Sequence, residues 1–144
     1  MNVLSWPSNI SSTPVEMIEQ LSPLRVHYRR LRTDGGGAGR FRGGTGQEIK
    51  FENRSAGPIS VTFLAERTRP EAAAAGLAGG SAGAPGEVIL DGVRSNPKTR
   101  HIIAAGGTIE LRTPGGGGFG PPADRDPERA ESDRLNGYVS AEPG

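Results

Sequence analysis

The sequence predicts a mainly β module of the α+β class: a small antiparallel assembly with short N- and C-terminal helices and glycine-rich loops. Three observations carry that prediction. Apolar residues alternate with polar ones in several short runs, as in Ile49 and Phe51 against Lys50 and Glu52, or Ile59, Val61 and Phe63 against Ser60 and Thr62, which is the period of a half-buried strand. The runs are bounded by Gly, Pro or Asn-Pro, residues that punctuate regular structure. Two proline-led segments, Thr13-Pro14-Val15-Glu16 and Asp126-Pro127-Glu128, carry helix-start chemistry near the two ends.

Taken in order, residues 1–12 read as an N-terminal arm anchored by Trp6, and residues 13–144 as one domain. Thr13 is placed to cap a helix, Pro14 to occupy its first position and Glu16 to close a capping box. Met17, Ile18 and Leu21 form its apolar face, and Ser22-Pro23 ends it after about two turns. Period-two runs follow, first with Val26 and Tyr28, then around Ile49 and Ile59, then at Glu87 to Leu90, His101 to Ala104 and Thr108 to Arg112. Between them, Arg69 to Gly76 reads as a short helical turn with proline at its start and glycine at its stop, and Leu77 to Gly86 as a loop of small residues. Asp126 to Gly137 reads as a capped polar helix with Ala130 and Leu135 turned inward and its acids and arginines forming a solvated, ion-paired face. Ser140-Ala141-Glu142 begins another helix that Pro143-Gly144 cuts off.

Composition narrows the function. With 23 glycines and 12 prolines among 144 residues and a hydrophobic fraction of 33%, the chain approaches the composition of low-complexity sequence. The alternating runs and a formal net charge of +1 argue instead for a folded, loop-rich module that needs partner contacts to order its glycines. The absence of cysteine excludes disulfides, thiolate metal sites and cysteine nucleophiles. The segment Met1 to Pro7 lacks the basic start and apolar run of a secretion signal, and no stretch approaches the roughly 20 apolar residues that span a bilayer. The expected location is cytoplasmic.

The two glycine tracts are the most informative residues. In Asp34-Gly35-Gly36-Gly37-Ala38-Gly39-Arg40-Phe41-Arg42-Gly43-Gly44-Thr45-Gly46 the backbone could form an anion nest. A phosphate loop, however, requires Lys-Ser/Thr after its last glycine, and a dinucleotide fingerprint requires a helix where a strand follows here. Arg40-Phe41-Arg42-Gly43-Gly44 resembles one Arg-Gly-Gly box of an RNA-binding tail, but a single copy in a near-neutral chain offers phosphates little attraction. His27 and His101 stand alone, with no second ligand at metal spacing, and each reads as a strand residue hydrogen-bonded to its neighbours. No catalytic, cofactor-binding or metal-ligating residue is assigned.

The second tract, Thr113-Pro114-Gly115-Gly116-Gly117-Gly118-Phe119-Gly120, is followed by Arg125-Asp126-Pro127-Glu128 and Gly137-Tyr138-Val139-Ser140. Together with Thr13 to Glu16 and Leu31 to Gly46, in this order, these motifs resemble the C-terminal segment of the hydantoinase B/oxoprolinase family over about residues 13–142. The resemblance implies an ATP-dependent amidohydrolase or ketone carboxylase assembly, in which larger hydantoinase A-like and hydantoinase B-like subunits are the partners. It implies that the complex uses ATP with Mg or Mn, with zinc in a partner subunit. The family's metal-binding histidines and aspartates lie outside the matching segment, and Pro121-Pro122 follow Gly120 where relatives commonly carry Asp-Pro. The resemblance implies that the chain is a naturally separate small accessory subunit, of an ATP-dependent ketone carboxylase first and of a hydantoinase or 5-oxoprolinase amidohydrolase in the alternative, inactive alone, with Arg40, Arg42, Gly115, Gly116, Gly117, Gly118 and Phe119 at a subunit interface or bordering a shared active site.

Overall fold

A computed structural model of the protein describes residues 13–140. The arm expected at residues 1–12, with Trp6, and the helix start at Ala141-Glu142 lie outside the described residues.

The first helix, α1 (Val15–Leu21), starts one residue later than the capping-box reading requires. Pro14 is its N-cap, with φ −57° and ψ 147°, and no side chain caps the helix. Proline fixes φ but leaves ψ free to stay extended, so the first helical position moves to Val15 and Glu16 falls too early to reach back. The apolar face is also thinner than expected: Met17 and Leu21 are exposed, while Val15 and Ile18 are half-buried. Ser22 ends the helix by donating from both its N–H and its Oγ to the carbonyl of Ile18, at 3.0 and 2.7 Å.

Five strands form one antiparallel sheet in the order β1 (Leu24–Leu31), β2 (Gln47–Asn53), β7 (Thr108–Arg112), β4 (Glu87–Leu90), β5 (Val93–Arg94). The remaining two, β3 (Ile59–Thr62) and β6 (Arg100–Ile103), pair as a separate antiparallel ribbon. The expected strands are present, and β5 is an addition that the sequence did not signal. Residues opposed across an antiparallel pair project to one face, so the register sorts the sheet. Ile49, Phe51, Val88, Ile109 and Leu111 share one face, whereas Glu48, Lys50, Glu87, Glu110 and Arg112 share the other. A bulge at His27 sends Val26 to the apolar side, opposite Phe51, and Tyr28 to the charged side, opposite Lys50. The alternating pattern alone would have kept both on one face.

The aliphatic core is small: Val88, Ile103 and Ile109 are its buried members among the described residues. The charged face is held by ion pairs. Glu48, itself buried, is bonded by Arg30 and lies 3.5 Å from Arg112, while Arg112 also reaches Glu87 at 3.2 Å and Glu110 at 2.7 Å. Arg32 and Arg94 approach Glu87 at 3.5 and 3.6 Å. Burial, followed by the carboxylates of Glu110 and Glu48, pushes the Tyr28 phenol above its ordinary pKa.

Sheet and ribbon are joined by Asn53, the last residue of β2, which is fully buried. Its Nδ2 donates to the carbonyls of Gly57, Ile103 and Ala104 at 3.0, 3.2 and 2.9 Å. Its Oδ1 accepts from the N–H and Oγ of Ser55 at 3.0 and 2.7 Å. A buried amide satisfied on both sides fixes one geometry, because any displacement strands several polar groups away from water.

Candidate functional site

The glycine tracts meet beyond the end of the sheet, and they meet each other. Residues 115–118 run through the middle of a bundle of extended segments. Gly115 donates to Ala84, Gly116 to Gly44 and Gly118 to Ser81, at 2.9, 2.8 and 2.9 Å. In return, the carbonyl of Gly116 accepts from Gly37 and that of Gly118 from Leu77, both at 2.9 Å. The outer segments are tied to one another as well: Ala84 donates to Gly35 at 2.9 Å, Ser81 to Ala38 at 2.7 Å and Gly43 to Gly37 at 3.0 Å. These bonds radiate to neighbours on several sides, unlike the two-sided ladder of a sheet, so the central segment has backbone rather than side chains all around it.

Glycine is required there by distance. A Cβ on Gly115 would stand 1.6 Å from the Gly35 carbonyl oxygen, on Gly117 2.0 Å from that of Ala75 and on Gly118 2.1 Å from that of Ala38. The logic is that of the collagen axis, where only a residue without a side chain fits between chains. The compensating contacts that these glycines need come from the chain itself, not from a partner alone. The segment from Ala74 to Ala84, read from sequence as a helical stop and a loop of small residues, is the third member of the bundle. Of the helical turn expected over Arg69 to Gly76, only Pro70–Ala72 forms, as a 3₁₀ turn. The glycines at 76, 80 and 83 were the signal, since a Cβ at each would meet backbone at 2.0, 2.3 and 2.5 Å.

The C-terminal helix, α2 (Pro127–Leu135), clamps the bundle. Asp126 caps it as expected, accepting from the Glu128 N–H at 2.9 Å. The inward residues differ from expectation: Ala130 and Leu135 are exposed, and Asp133 is the buried one. The reason is electrostatic. Arg42 binds Asp133 through Nε at 2.9 Å and Nη2 at 3.1 Å, Arg125 bonds the same carboxylate, and Arg42 Nη1 donates to the Gly43 carbonyl at 2.7 Å. Two arginine partners offset the cost of taking this carboxylate out of water, so Asp133 can be the residue that turns inward. The hydrogen bond from Arg42 holds the Asp133 carboxyl below its ordinary pKa, helped by the charges of Arg42 and Arg125, while burial opposes it. Thus one acid of the helix faces inward, and the solvated ion pair expected there is represented by Arg134 and Glu131.

The sequence-selected residues therefore gather in one body with distinct roles. Gly115 and Gly118 are buried within it, Gly116 and Gly117 are half-buried, and Arg42 points inward with its guanidinium carbon 5.2 Å from the Tyr138 ring centroid. Arg40, Phe41 and Phe119 emerge at the surface. Beside the bundle lies an open depression of about 560 Å³, bordered by Arg29, Arg42, Thr45, Gln47, Thr113 and Tyr138 among others. His27 pairs with Glu52 at 2.9 Å, and His101 contacts the Asn96 carbonyl at 2.7 Å and Thr99 Oγ1 at 3.0 Å. Among the described residues no group of three or more His, Cys, Asp or Glu is arranged to hold a metal ion, and no helix is long and apolar enough to cross a membrane.

Fold and site together define a β-rich module organised around a bundle of glycine-rich backbone segments. Comparison with known proteins gives the family: hydantoinase B/oxoprolinase matches residues 1–122, and the chain belongs to it. It is 32% identical over 143 residues to the B-type subunit of a putative D-/L-hydantoinase from Pseudomonas sp. (strain NS671), covering 94% of this chain and 23% of that one. The crystal structure of ATP-dependent caprolactamase from Pseudomonas jessenii superposes with a TM-score of 0.72 at 32% identity, over 90% of this chain and 23% of that one. A nucleotide-free acetone carboxylase structure shares the fold, with a TM-score of 0.51 at 18% identity over 91% of this chain and 22% of that one. The chain thus spans less than a quarter of the length of these relatives.

Proposed function

We propose that this chain serves as the structural glycine-bundle module of a hydantoinase B-type subunit within an ATP-dependent complex that opens cyclic amides. The observation that carries this reading is the match, at 32% identity over nearly the whole chain, to the B-type subunit of a putative hydantoinase, together with the shared fold of an ATP-dependent caprolactamase. The module shapes and supports the subunit, and the bond-breaking chemistry belongs to the larger hydantoinase A-like and B-like partners. ATP with Mg or Mn, and zinc, would be held by those partners, as the family resemblance implies. A cytoplasmic complex fits a chain without cysteine.

A second reading keeps the chain in a ketone carboxylase of the acetophenone carboxylase type, for which the fold shared with acetone carboxylase is the support. Reconstitution with the larger subunits separates the two. The first expects ATP hydrolysis stimulated by hydantoin, 5-oxoproline or caprolactam, only when this module is present. Stimulation by acetophenone with bicarbonate, and by none of the cyclic amides, would overturn it in favour of the second. The chain alone is expected to hydrolyse nothing.

A further inference from the structure

We infer that the row of side chains Phe41, Phe119 and Leu77 is the surface on which the remaining body of a hydantoinase B-type polypeptide docks. This rests on the functional reading above. Phe119 forms an antiparallel bridge with Phe41 on one side and a parallel bridge with Leu77 on the other. Bridged residues project to the same side, so the three side chains form one row about 10 Å across at the usual strand spacing. The two rings lie 6.3 Å apart, and Arg40 covers part of Phe41 with its guanidinium carbon 5.6 Å from the ring centroid. Yet the row is open: Phe41 is 50% exposed, Leu77 64% and Phe119 51%.

Contiguous exposed apolar groups with a polar rim mark a contact surface, and here the row is rigid. The three backbones are joined by Phe41–Phe119 bonds at 2.9 Å in both directions and by Leu77 to Gly118 at 2.9 Å. The bundle spends its glycines internally, so this row is what it presents outward. The occupant follows from the relatives' lengths. In the putative hydantoinase's B-type polypeptide and in caprolactamase the matching segment is 23% of one chain, so about three-quarters of such a polypeptide lies outside the module and is the body available to cover its apolar row. Packing of that kind is extensive and apolar at its centre. A flat row of two aromatics and a leucine flanked by one arginine suits an apolar face carrying a carboxylate or carbonyl oxygens at its rim.

The test places a photo-crosslinking amino acid at position 77 or, as a control on the ribbon, at the exposed Ile102, in the chain co-expressed with the hydantoinase A-like and B-like subunits of its source. Position 77 is expected to label the B-like body, identified by mass, and position 102 to leave it unlabelled. In parallel, Phe119→Ser, shown by circular dichroism and thermal midpoint to be folded, is expected to bind that body roughly tenfold more weakly, as for a central interface anchor. Labelling of only a second copy of this chain, labelling of only the A-like subunit, or labelling from position 102 with none from 77 overturns the docking surface and leaves the functional reading standing. Failure of the unsubstituted chain to join the larger subunits at all overturns both.

Discussion

Adding one methyl group at Gly115 tests the bundle directly. The new Cβ would stand 1.6 Å from the Gly35 oxygen and 2.4 Å from its carbonyl carbon. Carbon meets a carbonyl oxygen no closer than about 3.3 Å, so the two segments must part by roughly 1.7 Å. That displacement pulls on Gly115 to Ala84 and Ala84 to Gly35, both at 2.9 Å. Two interior hydrogen bonds lost or stretched, at about 1 kcal/mol each and more if the groups stay dry, add to about 1–3 kcal/mol of overpacking. Gly115→Ala should therefore cost about 3–5 kcal/mol and lower the thermal midpoint by roughly 10–15 °C. Urea and thermal unfolding followed by circular dichroism read this out. Two controls sharpen it. Gly116→Ala, whose Cβ would meet only the Gly44 nitrogen closely, at 3.1 Å, should cost markedly less, and Gly57→Ala, with nothing within 4 Å, should be near neutral. If Gly115→Ala matched Gly57→Ala in stability, the bundle could not be packed as described.

Removal of the Asn53 side chain, as Asn53→Ala, should cost about 3 kcal/mol, because it strips partners from buried carbonyls and from Ser55; equilibrium unfolding checks it, and a change below about 0.5 kcal/mol would contradict the role assigned to this residue. Asp133→Ala, which leaves Arg42 and Arg125 facing each other without a counter-charge, should cost about 3 kcal/mol or more. The same carboxyl gives a pH dependence with a defined sign. Its pKa is depressed in the folded state, so its contribution is complete above the unfolded value of about 3.9 and fades as pH falls through the folded value. Unfolding profiles across the acid range should therefore show wild type losing more stability than Asp133→Asn, and parallel profiles would refute the assignment.

Ordering so many glycines costs conformational entropy, and the bundle answers that cost in backbone terms. Gly115 and Gly118 gain hydrogen-bonded neighbours at a distance that no side chain permits, so the tracts act as a second core beside the small aliphatic one. This explains how a chain with three buried apolar residues among those described can still hold a defined shape.

Strand positions, the Asp126 cap and the two glycine tracts are legible in the sequence because each is written in neighbouring residues: alternation, cap chemistry, runs without Cβ. The order of those motifs sufficed for the family as well. What local pattern could not supply were the relations between distant segments. Residues 35, 84 and 115 share hydrogen bonds, yet the glycines at 76, 80 and 83 signal only that the run from Ala74 to Ala84 meets backbone closely, not which remote segments it meets. Asp133 looks like any acid on a polar helix until Arg42, 91 residues away along the chain, gives it a partner to be buried with. One bulge at His27 was enough to separate Val26 from Tyr28 across the sheet, and only tertiary assembly lined up Phe41, Leu77 and Phe119, because side chains from three remote stretches become one surface only when their backbones are bridged.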